Sequence, residues 1–200
     1  MLTGPEPEEL FSKHWMSKHS DKNSRWYRSA RKMVPDIVSM FTPTDVLDLG
    51  CGACNFANLL MPHVESIVAV DGSPYSEACA APGVTWRHYD LRKPLDLYRE
   101  FDLVMCLEVA EHLDDAYSGT IVNTITEHVA EFGYVLFCAA RRNQGGLGHV
   151  NEQPPDYWEE LFDKAGFRRS MLDLENALRV SWKEHNVNRC YWRNLMVYTQ

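Results

Sequence analysis

The sequence lacks the features of a membrane-spanning or secreted protein. No apolar run approaches the roughly 20 residues that a membrane-spanning helix needs. The first ten residues, MLTGPEPEEL, lack the basic and apolar regions of a signal peptide. The six cysteines are scattered, and several lie in apolar runs, which is typical of buried thiols in a reducing compartment rather than of a disulfide framework. We therefore expect a cytoplasmic protein without a membrane partner.

The chain also lacks internal repeats, low-complexity tracts and linkers. Its 200 residues are enough for one well-packed domain and too few for two ordinary ones. The apolar content of 45% and charged content of 24% are ordinary for a globular protein.

Charge is distributed unevenly along the chain. The net charge is −8, but residues 13–32 contain seven Lys or Arg against one acid, so this segment carries +6 and the remainder −14. Because phosphate neutralisation dominates binding of long nucleic acids, an acidic body argues against such a partner. The basic segment also contains Trp15, Trp26 and Tyr27. We favour the solvated face of an amphipathic helix, and contact with a smaller anionic partner stays open.

Apolar runs alternate with segments of helical spacing. Strand-like runs lie at 45–51, 66–72, 84–91, 101–109, 134–140 and 194–200. Helical spacing is found at 55–63, 116–132 and 155–167. This alternation predicts an α/β fold, with a parallel sheet covered by helices on both faces.

The stretch VLDLGCGACN, residues 46–55, predicts a ligand-binding turn. A dinucleotide loop would need a third glycine where Asn55 stands. Asp48, two residues before Gly50, would repel a pyrophosphate but suits a positively charged ligand. Asp71 ends the second strand 21 residues after Gly50, where an acid binds both hydroxyls of a ribose. A nucleoside with a cationic group and no phosphate fits this pattern, and S-adenosylmethionine is such a molecule.

Cys51 and Cys54 have the spacing of a redox or zinc pair. A zinc site needs further ligands at matching spacing, and the sequence has no second C-x-x-C. A thioredoxin-like pair would lie on a different kind of turn. We expect both thiols to be loop and helix-start residues beside the ligand, with redox chemistry as the minor alternative.

At these residues the sequence resembles the class I S-adenosylmethionine-dependent methyltransferases, over roughly residues 40–170. VLDLGCGACN is similar to the family's first motif, VAVDGS to its second, HYDLRKP to the segment whose acid faces the adenine, and FDLVMCLEVAEHL to the fourth-strand motif beside the methyl donor. The resemblance implies a doubly wound, seven-stranded, mostly parallel sheet. It divides the domain into an N-terminal helical lid segment, residues 1–40, and the methyltransferase domain, residues 41–200.

The resemblance also implies which residues bind the cofactor, S-adenosylmethionine. They follow the first four strands and are Asp48, Gly50, Cys51, Gly52, Asp71, Gly72, Asp90, Leu91, Leu107 and Glu108.

The turn after the fourth strand offers a potential metal site. Glu108, Glu111 and His112 stand at i, i+3 and i+4, so a helical turn would point all three one way. With His149 or a water they could hold a divalent cation. This turn resembles the metal-binding turn of the small-RNA 3′-terminal 2′-O-methyltransferases and the ubiquinone-pathway O-methyltransferases. Similar turns also serve as helix starts without a metal, and we favour this metal-free interpretation.

Three residues are candidates for catalysis: His112, His149 and Glu111. His112 is the first candidate for a general base, because an imidazole titrates near working pH. His149 lies in a loop bordered by glycines, which predicts a flap over the acceptor. The structural alternatives are a helix-start histidine bonded to the backbone and a surface-loop histidine.

We therefore expect methyl transfer to a small-molecule acceptor, most simply at an oxygen. Two alternatives stay open: RNA or nucleotide 2′-O-methylation at a metal-assisted site, and a protein that binds the cofactor without turnover. The sequence determines neither the acceptor nor the oligomeric state.

Overall fold

The computed structural model describes residues 11–170 and 172–200. Its helices are α1 (Lys13–Ser20), α2 (Arg25–Phe41), α3 (Asn55–Leu60), α4 (Ser118–Thr126), α5 (Pro155–Lys164), α6 (Leu172–Glu184) and α7 (Arg189–Asn194). Its strands are β1 (Asp45–Leu49), β2 (Ser66–Asp71), β3 (Thr85–His88), β4 (Phe101–Leu107), β5 (Val129–Cys138), β6 (Arg168–Arg169) and β7 (Met196–Thr199). The part of the lid prediction that covers residues 1–10 lies outside the described residues.

The strands form one seven-stranded sheet in the order β3-β2-β1-β4-β5-β7-β6. The first five strands in this order are parallel, whereas β7 runs antiparallel to both β5 and β6. The predicted doubly wound, mostly parallel sheet is confirmed. Because the strand order reverses between β1 and β4, a crevice is expected beyond the carboxyl ends of these two strands.

Helices cover both faces of the sheet, as the apolar strands require. On one face α2, α3, α6 and α7 form a core that includes Ile37 and Trp182. On the other face α4 and α5 form a second core that includes Ile121, Trp158 and Phe162. The two cores fix the positions at which the strands end.

Helix α2 shows how the basic segment folds. Ser24 caps the helix, accepting the Tyr27 N–H at 3.0 Å. Its apolar positions, Met33, Val34, Ile37 and Phe41, are buried against the sheet. Arg28 and Arg31 are exposed to solvent, which agrees with a solvated basic face for this part of the segment.

The predicted helix over 116–132 is wrong at its C-terminal end. Helix α4 ends at Thr126, and β5 begins at Val129, which pairs with Phe101 of β4. His128, between α4 and β5, is held in place because its Nε2 accepts the Leu97 N–H at 2.9 Å. Pairing with a neighbouring strand therefore overrides the helical spacing. Helices α6 and α7 and the short strand β6 were not predicted from the sequence.

All six cysteines are free of disulfides. Within residues 11–170 and 172–200, no helix has the length and apolar character needed to cross a membrane.

Candidate active site

A cavity of about 1100 Å³ lies beyond the carboxyl ends of β1, β2 and β4. Helices α1 and α2, the loop 144–150 and helix α7 complete its walls. Every residue that the sequence predicted for the cofactor or for catalysis lines this cavity: Asp48, Gly50, Cys51, Gly52, Asp71, Gly72, Asp90, Leu91, Leu107, Glu108, Glu111, His112 and His149. The topology thus brings the candidates together, while their individual roles stay predictions.

The glycine turn after β1 is shaped by close packing. The backbone N–H groups of Gly50 and Cys51 both donate to the Val70 carbonyl, at 2.8 and 3.1 Å. Gly50 has φ +72°, and a Cβ there would lie 2.7 Å from Cγ1 of Val109 and still closer to Cγ2. Only glycine fits at this position.

Asp71, at the end of β2, is bonded to the glycine turn. Its Oδ2 accepts the Gly52 N–H at 2.7 Å, and its Oδ1 accepts the Ser73 N–H at 2.8 Å. Burial raises the pKa of Asp71, and the two backbone hydrogen bonds oppose the shift. The carboxylate therefore links the turn to the end of β2, and its ribose-binding role stays a prediction.

Asp48 is an ionisable group in an unusually buried position. It is 3% exposed, and its Oδ2 has no hydrogen-bond partner among the described residues. Burial, followed by the charge of Asp71, raises its pKa to about 7. A buried carboxylate oxygen without a partner is costly, and a cationic ligand would satisfy it. The residues present therefore fit S-adenosylmethionine, which has an ammonium and a sulfonium group.

Asp90 and the cysteine pair were predicted to lie beside the cofactor. Asp90 Oδ1 accepts a hydrogen bond from Arg92 Nε at 2.9 Å. Burial alone would raise the pKa of Asp90, but the bonds from Arg92 outweigh it and the pKa is lowered. Cys51 lines the cavity and Cys54 caps α3, with their sulfurs 3.6 Å apart.

The turn after β4 is not the single helical turn that the spacing predicted. Glu108 has φ +57°, and only Ala110–His112 form a short 3₁₀ turn. The Glu108 side chain accepts hydrogen bonds from Asn194 Nδ2 at 3.0 Å and Gln144 Nε2 at 3.5 Å. Glu108 therefore lies outside the helical turn that the spacing predicted, and its carboxylate bonds Asn194 and Gln144 from distant parts of the chain.

Glu111, His112 and His149 nevertheless form a cluster. One potential ligand atom of each lies within 4.8 Å of the others. Glu111 is fully buried, and neither carboxylate oxygen has a partner among the described residues. Burial, followed by the charge of Glu108, raises its pKa well above the usual value. His149 Nε2 lies 4.0 Å from Glu111 Oε1.

The hydrogen bonds of both histidines fix which ring nitrogen is free. His112 Nδ1 lies 3.1 Å from the Gly148 carbonyl oxygen, and His149 Nδ1 lies 2.8 Å from Glu152 Oε1. Since these oxygens only accept, each Nδ1 donates, and in the neutral imidazole form each Nε2 offers a lone pair. Burial, followed by the nearby His149, lowers the pKa of His112 to about 4, even though the Gly148 hydrogen bond opposes the shift.

Comparison with known proteins identifies the family. A family model described as "Methyltransferase domain" matches residues 23–170. The chain belongs to this methyltransferase family. Its fold is that of the class I S-adenosylmethionine-dependent enzymes, and the protein is an S-adenosylmethionine-dependent methyltransferase. No curated protein matches the sequence.

Solved structures of methyltransferases share the fold at low identity. One is CalS10, an amino pentose methyltransferase from Micromonospora echinaspora involved in calicheamicin biosynthesis, which was solved with S-adenosylmethionine. It is 16% identical to this chain with a TM-score of 0.68, and the match covers 94% of this chain and 96% of CalS10. DesVI of Streptomyces venezuelae is 14% identical with a TM-score of 0.65, covering 98% and 99%. The N-methyltransferase NodS from Bradyrhizobium japonicum WM9, solved with S-adenosyl-l-homocysteine, is 20% identical with a TM-score of 0.54, covering 64% and 73%.

The N-terminal helices of the methyltransferase present aromatic rings to the cavity. Trp15 and His19 stack with centroids 3.6 Å apart, and His19 stacks on Trp26 at 5.6 Å. Asn55 Nδ2 donates to the His19 carbonyl at 3.1 Å and links α1 to the glycine turn. Trp15 and Trp26 line the cavity, whereas Tyr27 does not.

One residue that holds the cavity loop in place was not predicted from the sequence. Glu152 accepts from His149, from the Gly145 N–H at 2.6 Å and from the Gln144 N–H at 3.2 Å. It therefore anchors the loop that carries His149. An acid three residues after a loop histidine was the available signal, but such spacing is common in loops and does not by itself indicate a contact.

Proposed function

We propose that this methyltransferase transfers the methyl group of S-adenosylmethionine to an oxygen of a small-molecule acceptor, with His149 as the general base. The pairing of His149 with Glu152 supports this assignment. An alcohol or phenol must lose its proton as its oxygen attacks the methyl group, whereas a neutral amine needs no base at that stage. A histidine backed by a carboxylate is suited to that task.

The base in this proposal differs from the first candidate of the sequence. The Glu152 carboxylate holds the His149 ring and stabilises the imidazolium that would form on proton transfer. His112 has only a backbone carbonyl on its Nδ1, and its pKa is lowered to about 4. A base with such a low pKa accepts a proton poorly near neutral pH. We assign His112 to holding the acceptor beside His149.

The volume of the cavity also supports a small acceptor. The cavity of about 1100 Å³ has room for the cofactor and one further small molecule. The aromatic rings of α1 and α2 would exclude water from the space above the glycine turn, and methyl transfer requires that the acceptor and the sulfonium be held in line.

A divalent cation at the cluster is the second candidate. Glu111, His112 and His149 fit such an ion, because Glu111 has two unpartnered oxygens and both histidines have an acceptor on Nδ1. When bound, a cation would stabilise the deprotonated acceptor oxygen by its charge. In that arrangement Glu152 would orient His149 as a metal ligand rather than assist it as a base.

The test uses S-adenosylmethionine with a labelled methyl group and a panel of alcohols, phenols and amines. We expect labelled methyl ethers, and loss of product in His149→Gln with the affinity for S-adenosylhomocysteine unchanged. Methylation of amines alone would contradict the proposal. Chelator treatment in parallel separates the candidates: activity that survives chelation assigns His149 as the base, whereas loss of activity with cofactor binding intact assigns the cluster to a cation.

A further inference from the structure

Three exposed arginines of described helices line the cavity: Arg25, Arg189 and Arg193. The Arg25 guanidinium lies 4.4 Å over the Trp26 ring. Among the described residues, none of these guanidinium groups forms an ion pair or a hydrogen bond. Their charges are therefore not neutralised by the part of the protein that the structure describes.

Contacts between α2 and α7 bring together the two helices that carry the three arginines, and we refer to this part of the cavity lining as the wall. The Trp26 ring meets the Tyr191 ring edge-on, with centroids 6.3 Å apart. Tyr191 lies between Arg189 and Arg193 in α7. The Asn188 N–H donates to Ser29 Oγ at 3.0 Å and fixes the start of α7 against α2. The wall thus combines arginines with the aromatic surface of Trp26 and Tyr191.

The segments that form this wall are poor in acids, although the whole chain is acidic. Residues 185–200 contain no acid, residues 141–151 contain none, and residues 13–32 contain one, in a chain of net charge −8. The acids that line the cavity are Asp48, Asp71, Asp90, Glu108, Glu111 and Asp114. They are buried or already engaged: Asp90 bonds Arg92, Glu108 bonds Asn194, and Asp114 caps the turn at Ala116. Among the described residues no acid pairs with these three charges, which are exposed to solvent, and an anionic ligand in the cavity would neutralise them.

We propose that Arg25, Arg189 and Arg193 bind an anionic group of the acceptor, a phosphate or a carboxylate. The inference rests on the proposed function, because it names the class of small molecule that the cavity accepts. Guanidinium groups bind both kinds of anion through paired N–H donors. The rings of Trp26 and Tyr191 offer apolar surface to the uncharged part of the same molecule.

The cofactor's own carboxylate has the same chemistry, and the experiment separates the two sources. Protein saturated with S-adenosylhomocysteine is titrated calorimetrically with inorganic phosphate, pyrophosphate and acetate. We expect binding of at least one anion. Arg189→Gln and Arg193→Gln should each weaken it by roughly tenfold, as expected for loss of a charged hydrogen bond. Arg25→Gln should weaken anion binding by a similar factor. Arg28→Gln is the matched control, since Arg28 is exposed on the same helix and is not part of the cavity lining.

Three results would overturn the inference. The first is no binding of any of the three anions up to about 10 mM, where even weak sites give heat. The second is an equal effect of Arg28→Gln. The third is anion binding that competes with S-adenosylhomocysteine, together with arginine variants that weaken the cofactor, which would assign the wall to the cofactor's carboxylate.

Failure of the inference and failure of the proposed function are distinguishable. Oxygen methylation without anion binding would overturn the inference alone. Anion binding that depends on the three arginines, together with methylation of amines only, would support the inference and contradict the proposed function.

Discussion

His149 Nδ1 lies 2.8 Å from Glu152 Oε1, and the same oxygen accepts the Gly145 N–H at 2.6 Å. One carboxylate therefore orients the imidazole and holds the loop that carries it. The ring is placed with its Nε2 4.0 Å from Glu111 Oε1, inside the cavity that the predicted cofactor-binding residues line. Whether His149 acts as a base or as a metal ligand, its orientation depends on Glu152.

Replacing Glu152 by glutamine should lower kcat by about 10- to 100-fold, the usual effect of losing the partner that orients a functional histidine. A glutamine keeps one accepting oxygen, but its amide nitrogen donates where the carboxylate accepts the Gln144 N–H, and it lacks the negative charge that stabilises an imidazolium. The measurement is steady-state kinetics, with calorimetric binding of S-adenosylhomocysteine in parallel. Glu184→Gln, on the exposed end of α6, is the matched control. An equal loss of cofactor affinity in Glu152→Gln would show that the role is merely structural.

The glycine turn yields a prediction about stability. Gly50→Ala should destabilise the fold by roughly 1–3 kcal/mol through overlap with Val109, and by about 1 kcal/mol more because φ is +72°. In Gly50→Ala/Val109→Ala the two closest atoms of Val109 are gone and only its Cβ, at 3.1 Å, stays near, so the double variant should lose less than the two single variants added together. Chemical denaturation of the parent protein, the two single variants and the double variant measures the coupling free energy between positions 50 and 109.

Gly52→Ala is the control for Gly50→Ala. Gly52 also has a positive φ, +51°, but a Cβ there meets only carbons of Trp15 at 3.8 Å. Gly52→Ala should therefore lose only the free energy that a positive φ costs an alanine. Equal destabilisation of the two alanine variants would contradict the assignment of the overlap to Val109.

Local patterns predicted most of the sheet and the glycine turn after β1, because strand burial and the Asp–Gly spacing are encoded within a few residues. Asp48, Gly50 and Asp71 belong to such patterns. The failures have long-range causes. Glu108 is held by Asn194, 86 residues along the chain, and this contact leaves no sign at residues 108–112. The helix predicted over 116–132 is cut short by pairing of Val129 with Phe101 of another strand.

Asp71→Ala should weaken binding of S-adenosylhomocysteine by roughly 1.5–3 kcal/mol for each charged hydrogen bond lost. The variant loses the predicted ribose contact, and it also leaves the Gly52 and Ser73 N–H groups without their acceptor. Calorimetry measures the affinity, and thermal unfolding of the free protein measures the structural part. Asp173→Ala, exposed on α6, provides the comparison. Unchanged affinity in Asp71→Ala would place the ribose elsewhere.

Asp48 should make cofactor binding depend on pH. Its pKa is raised from 3.8 to about 7, so in the free protein the side chain holds a proton below about pH 7. A cationic cofactor favours the ionised form, and binding below that pH must release the proton. The affinity for S-adenosylmethionine should therefore fall as pH falls below about 7, with a limiting slope of roughly tenfold per unit. Calorimetry in buffers of different ionisation enthalpy should detect close to one proton released below pH 7, and less above it.

The stability of the free protein should change with pH in the opposite sense. Between pH 3.8 and about 7 the folded state holds the Asp48 proton and the unfolded state does not, so the free energy of unfolding falls as pH rises. The Asp48 contribution is about 1.4 kcal/mol per pH unit over that range and levels off above it. Asp48→Asn keeps the shape and removes the titration, so the difference between parent and variant isolates this contribution in both experiments. If Asp48→Asn bound S-adenosylmethionine as tightly as the parent protein, with the same pH profile, Asp48 would not be the group that meets the cofactor's positive charge.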